Sequence, residues 1–386
     1  MIPMALSFYV HIPYCVKRCG YCDFNTYTPS ELRSGDLSAD ISGVSEGYID
    51  RVLKEIDQAR SEVSAAIVPT IFFGGGTPTL LEAHDLSRVI SKIKSEFEVS
   101  KDCEITIEAN PDTVTEDLLT KLREGGFNRI SFGMQSAVPH VLATLDRTHK
   151  PEGVGRSVAL ANSIGFEHIS VDLIYGTPGE SIADWEISVN SALSMAIDHI
   201  SAYALIVEAG TKLSNQVKRG ELVMPADDET AEKYRIADDL FASAGFSWYE
   251  LSNWAKPGGE CRHNINYWNG SNWWGVGPGA HSFLGNERWW NVKHPSAYQE
   301  RIDSGLSPKL AGETLTLENH KDEKIMLQIR LVDGIDRKTL TSEQNSNAAR
   351  YLESDHISHS HWSQGRVVLT QSGRLIADRI VRELMV

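Results

Sequence analysis

The chain has 386 residues, 41% of them hydrophobic and 23% charged, proportions that fit an ordinary globular protein of two or three domains. No run of 18 apolar residues is present, so no integral membrane segment is expected. A formal net charge of -15 argues against a nucleic-acid partner, because affinity for a phosphate backbone comes from clustered Lys and Arg.

The first residues, Met-Ile-Pro-Met-Ala-Leu-Ser, lack a basic segment and lead straight into an apolar run, so no secretory leader is expected and the location reads as cytoplasmic. Five cysteines suit a reducing compartment better than a disulfide framework. Apolar runs at 7–13, 70–75, 104–108, 129–133, 168–174 and 199–207 read as strands. Between them, amphipathic stretches at 48–65, 83–97, 115–125, 136–145, 151–164 and 183–196 read as helices. Alternation of this kind predicts an α/β protein with a parallel sheet, since each parallel return needs a crossover helix. Periodicity does not say whether the sheet is open and doubly wound or curled into a partial barrel. Either way, the loops leaving the C-terminal strand ends should carry the site.

A polar stretch at 26–47 reads as a surface loop. Beyond 207 the pattern changes to one helix at 227–244 and a Trp- and Gly-rich tract at 248–290, read as a connecting or cap region. A last module has helix 322–331, strand 367–370 and helix 373–384, and resembles a winged helix. The expected domains are therefore 1–225, 226–312 and 313–386.

Chemistry starts just past the first strand, where Cys15, Cys19 and Cys22 are spaced x3 and then x2. Three thiolates can hold one cubane iron-sulfur cluster and leave its fourth iron open to another ligand. A structural zinc site would want a fourth ligand and a second cysteine pair, but Cys103 and Cys261 stand alone. After the second predicted strand comes Gly74-Gly75-Gly76-Thr77-Pro78, whose missing side chains let the backbone approach a ligand, although a glycine-rich turn alone is more often only a turn. Glu108, Gln135, Arg147 and Asp172 stand at or near later strand ends, where a polar side chain meets a ligand. Glu108 and Arg147 equally fit a structural ion pair lining the interior. His356, His359 and His361 lack acidic or cysteine partners at ligand spacing and read as a solvated loop.

The cysteine loop, with Tyr21 before its last cysteine, resembles the radical S-adenosylmethionine (SAM) superfamily. That resemblance implies an incomplete (β/α)6 barrel with a [4Fe-4S] cluster on Cys15, Cys19 and Cys22 and SAM at the open iron. In order and spacing the blocks resemble the oxygen-independent coproporphyrinogen III oxidase branch, which implies that Tyr9, Tyr21, Gly75, Gly76, Thr77, Glu108, Gln135, Arg147 and Asp172 surround SAM. The oxidase pattern continues with a fourth cysteine, where this chain has Phe24, so oxidase activity is not expected. His263-Asn264-Ile265-Asn266-Tyr267-Trp268 resembles instead the His-Asn-x-x-Tyr-Trp signature of the HemW family of heme chaperones. This implies heme as a ligand near His263, a heme-accepting protein and a reductant for the cluster as partners, with an oxidase acting on a porphyrinogen as the alternative. From the residues alone, the aromatic tract could pack on a macrocycle while His263 offers a nitrogen to iron; a lone His is more often structural, which favors a cap over the barrel mouth with His263 donating a hydrogen bond to backbone.

Overall fold

The computed structural model describes residues 4–33 and 40–385. A two-residue strand β1 (Met4–Ala5) precedes β2 (Ser7–Ile12), β3 (Ala66–Gly75), β4 (Glu98–Ala109), β5 (Arg129–Gln135), β6 (His168–Tyr175) and β7 (His199–Ala204). β2 to β7 lie side by side in chain order, and every neighbouring pair is parallel. A doubly wound sheet reverses its strand order at a switch point. Without a reversal, right-handed crossovers place all the helices on one face and the sheet curls away from them, which gives the incomplete (β/α)6 barrel.

The strand pattern shows why. Ile105 and Ile107 on β4, Ile130, Phe132 and Met134 on β5, and Ile169, Val171 and Leu173 on β6 are all buried at alternate positions. They share one core with helix residues such as Leu86, Leu122, Val158 and Val189. Helix Pro151–Ile164 begins with proline in its first turn and ends on Gly165, whose φ of 92° few other residues adopt. Helix Ile182–Leu193 begins on a reciprocal cap between Ser181 and Asp184, a device worth about 1 kcal/mol.

The Trp-rich tract read as a cap is part of the sheet. β8 (Ser247–Glu250) and β9 (Asn253–Ala255) extend it antiparallel beyond β7, whereas β10 (Trp273–Val276) runs parallel beside β2. β11 (His281–Leu284), β12 (Glu287–Asn291) and β13 (Lys309–Thr314) then meander outward. Strands this short leave too few alternations to read from sequence. Trp274 and Trp289 meet edge to face with ring centres 4.9 Å apart, and the Lys309 ammonium sits 4.1 Å over Trp289.

From Ile325 to Leu384 a second hydrophobic cluster forms around helices Leu317–Gln328, Ser342–Glu353 and Ala377–Leu384. A short antiparallel pair, β14 (Ile335–Asp336) and β15 (Arg366–Val367), lies among them. The helix expected at 322–331 starts earlier because Thr316 and Asn319 cap each other. The one expected at 373–384 is split into Gln371–Arg374 and Ala377–Leu384. Arg374 ties this module to the barrel through a buried ion pair with Asp238 at 2.6 Å, its guanidinium 4.4 Å over Trp248. The polar stretch at 26–47 carries short helices Pro29–Leu32 and Ile41–Ser45, and its middle, 34–39, lies outside the described residues.

Candidate functional site

Every residue singled out from the sequence for a cysteine, cofactor or heme role lines one cavity of about 650 Å³. It opens beside the cysteine loop and runs down inside the barrel, a volume typical of a small-molecule site.

The loop is fastened at several points. Cys15 N–H donates to the Tyr27 carbonyl (3.1 Å), Gly20 N–H to Leu145 (3.3 Å), and the Gly20 carbonyl accepts from Leu213 N–H (2.8 Å). Asn25 reaches across to the Pro278 and Lys293 carbonyls at 3.0 and 2.9 Å. Asp146 stands beneath, bonded to Lys212 at 2.6 Å and Lys17 at 3.6 Å. Two donors point at sulfur: the Thr77 hydroxyl lies 3.8 Å from Cys15 Sγ, and Arg147 Nη1 lies 3.4 Å from Cys19 Sγ. Burial pushes the Cys15 thiol up to about 11 and the Cys22 thiol upward too, so both carry protons at neutral pH.

Below the loop, Gly76 N–H donates to the Ile12 carbonyl at 2.7 Å and Thr77 N–H to the Tyr14 carbonyl at 2.8 Å, which lays the glycine turn against the end of β2 and the residues just after it. Gly75 has φ 107°, and a side chain there would strike the His11 ring; glycine is what permits the approach. Gly75 N–H donates to Glu108 Oε2 at 3.2 Å. Glu108 is pushed up to about 8, first by burial and then by Asp172 facing it. Asp172 is raised as well, mainly by burial, although the Ser131 hydroxyl donates to it at 3.0 Å. Gln135 holds a left-handed φ of 62° where β5 slips register, a strained conformation that turns up at ligand sites. Arg147 does not pair with Glu108; its Nη2 donates to the Gly133 carbonyl at 2.9 Å.

His263 is on the floor, in helix Arg262–Trp268. Its Nδ1 meets the Thr70 hydroxyl at 2.7 Å, its Nε2 meets the Tyr267 hydroxyl at 3.0 Å, and its ring stacks on Phe72 with centres 5.1 Å apart. Its backbone N–H donates to Glu104 Oε1 at 2.9 Å, and burial lowers the imidazole to about 3. Both ring nitrogens are thus engaged within the protein, and the ring is neutral.

Sequence reasoning missed the inner wall: Thr106, Arg129, Ser131, Ser170, His199 and Ser201 also line the cavity. The signal was present. On each strand they alternate with the buried apolar residues, so polar groups two apart face the lumen: Thr106 and Glu108, Arg129 and Ser131, Ser170 and Asp172, His199 and Ser201. Arg129, 1% exposed, lies 3.6 Å from Glu104 and donates to the Gly259 carbonyl at 2.7 Å. His199 bridges the Ser170 and Tyr249 hydroxyls, each at 2.7 Å.

Among the described residues, no three His, Cys, Asp or Glu side chains gather tightly enough for a single metal ion. The loop does fit a larger sulfur-bound cluster: three soft donors lie on one cavity wall, with a hydroxyl and a guanidinium already aimed at sulfurs that would bear negative charge.

Fold and cavity together define a radical SAM protein, and the model of the radical SAM superfamily matches residues 9–192. HemW, a heme chaperone of Mycobacterium tuberculosis (strain ATCC 25618 / H37Rv), is 43% identical over 377 residues, 98% of this chain and 94% of that one. Its counterpart from Bacillus subtilis (strain 168) is 33% identical over 97% of each chain. The chain belongs to the HemW family. The structure of coproporphyrinogen III oxidase from Escherichia coli superposes with a TM-score of 0.83 over 99% of this chain and 90% of that one, at 21% identity, and shares the fold. No helix among the described residues is long and apolar enough to cross a membrane.

Proposed function

We propose that this chain binds heme and passes it to an accepting protein, with a [4Fe-4S] cluster on Cys15, Cys19 and Cys22 and SAM in the same cavity. The observation that carries the reading is the convergence of the cysteine loop and the SAM-pocket residues on one cavity, in a chain 43% identical to a heme chaperone over nearly its whole length. When bound, the cluster supplies a redox-active center and an iron with a free coordination position.

Each residue then has a task. Thr77 and Arg147 donate to the thiolate sulfurs and stabilize their charge. The glycine turn would lie against the amino-acid part of SAM, with Glu108, which accepts from Gly75 N–H, as the acceptor for its ammonium. Asp172, held by Ser131, accepts from a hydroxyl, while Tyr9, Tyr21 and Gln135 shape the walls. His263, with both ring nitrogens engaged by Thr70 and Tyr267, would reach a heme iron only if Tyr267 released Nε2, and its task is to hold the floor of the cavity. A reductant for the cluster and a heme acceptor are the partners this activity needs, and the cytoplasm is the compartment that suits open thiols.

The test uses full-length protein reconstituted anaerobically with iron and sulfide, titrated with hemin with and without SAM, then mixed with an apo-hemoprotein. Tight hemin binding followed by appearance of the acceptor's heme spectrum is the expected result. Hemin that never leaves, or robust decarboxylation of coproporphyrinogen III by the same preparation, would overturn it, the latter in favor of the oxidase alternative.

A further inference from the structure

Large apolar side chains left in water are individually unremarkable, but a ring of them around one opening calls for an occupant. Val16, Phe24, Tyr203 and Ile206 are 67%, 63%, 45% and 68% exposed, and all four line the mouth of the cavity described above. They come from opposite lips. Val16 lies within the cysteine loop and Phe24 just after it, whereas Tyr203 is near the end of β7 and Ile206 lies just beyond it. The chain leaves the sheet at Ala204, and with it Ile206 turns to the opening, although its sequence context reads as more strand.

Charge around the opening is uneven. Lys17 and Arg18 follow Val16 directly and line the same cavity. Lys17 is 53% exposed on its side chain and reaches Asp146 only at 3.6 Å. Arg18 uses Nη2 for its contacts with Glu31 and the Thr26 carbonyl. Both keep donors for another acceptor. Asp23 and Glu208 stand on the same rim, so a ligand anionic all round is not what the opening fits. It fits a broad apolar body with anionic groups along one edge, which is the chemistry of a metalloporphyrin with its paired propionates.

We propose that the heme macrocycle seats at this mouth, between the Phe24 and Ile206 lips, with its propionates toward Lys17 and Arg18. The inference rests on the heme reading above and adds where the ring lies: over the cysteine loop and away from the His263 floor, leaving the polar interior to SAM. Phe24 supplies an aromatic face for the ring, and the position that departs from the oxidase pattern becomes part of the heme seat.

The experiment is a hemin titration of full-length protein, followed by absorbance, comparing wild type with Phe24→Asp, Ile206→Asp, the double variant and the Lys17→Glu/Arg18→Glu pair. These side chains are largely exposed, so folding should survive, and circular dichroism with a SAM-binding measurement checks that it has. The double variant should weaken hemin binding by about tenfold or more while SAM affinity holds. Charge reversal should weaken it by about threefold and alter its salt dependence. Unchanged hemin affinity in the double variant overturns the proposal, as does unchanged affinity with slowed transfer, which would assign the lips to the accepting protein. If wild-type protein binds no hemin at all, the heme reading itself fails, an outcome distinct from either.

Discussion

The two ends of the cavity are built on the same strands, yet their valences differ. At the mouth, the thiols of Cys15 and Cys19 each meet a side-chain donor and apolar side chains face water; on the floor, both nitrogens of His263 have partners and its ring is packed on Phe72. The contrast teaches that a signature motif marks a position without saying what the position does. His263-Asn264-Ile265-Asn266-Tyr267 closes the barrel's lower end: Asn266 donates to Ser7 Oγ at 3.1 Å, and the same hydroxyl accepts from Thr70, which also meets His263. Groups with spare capacity bind; groups already satisfied hold the fold.

Replacing any one of Cys15, Cys19 or Cys22 by Ala should have the largest effect, reducing iron and sulfide content after reconstitution to near background. Full cluster absorption in all three variants would erase the distinction at its source. Next comes His263→Ala, which deletes two buried side-chain hydrogen bonds and a stacked ring. It should cost about 3 kcal/mol in urea unfolding, with hemin affinity within about twofold of wild type, well below the loss expected at the mouth. Collapse of hemin binding at unchanged stability would exchange the roles of the two ends.

A third measurement concerns the chamber between them. Glu108 is raised from an unfolded value of 4.5 to about 8, so between those values the folded chain keeps a proton that the unfolded chain has lost. Stability must therefore fall as pH rises from about 5 to 8. Glu108→Gln should flatten that slope by roughly 2–4 kcal/mol across the window, measured as urea midpoints against pH. An unaltered slope would mean that Asp172 and Glu55, also raised by burial, carry it instead. The smallest effect is expected for Asp146→Asn, which weakens two partly exposed lysine contacts under the loop. Less than about 1 kcal/mol of stability should be lost, but the reconstituted cluster should bleach faster in air; equal bleaching would show that the backbone bonds of Gly20 suffice.

Much of the candidate site was legible because the residues that line the cavity follow strand ends, and strand ends can be read from apolar runs. Cys15, Gly75 and Glu108 each come at or just after such a run, and parallel order brings the runs together. What stayed hidden depended on long-range placement. The tryptophans at 248–290 read as a connecting or cap region because nothing local tells an edge strand of three or four residues from a loop, and only pairing with β2 and β7 makes them sheet. The engaged nitrogens of His263 depend on Thr70, which lies far away in the chain. The start of the helix at Leu317 was missed for a different reason: its Thr316-Asn319 cap is local, but Asn replaces the usual Glu or Gln.

The strand that leads into the cysteines is flanked by β3 on one side and β10 on the other, and Asn25 is tethered to carbonyls at Pro278 and Lys293. A ribosome therefore delivers the cysteine loop first and its anchors only after some three-quarters of translation. Until then the thiols have no finished wall to rest against. Cluster insertion should accordingly be a late maturation step, performed on a polypeptide already synthesized through the meander, and nascent chains stalled before β10 should fail to retain iron.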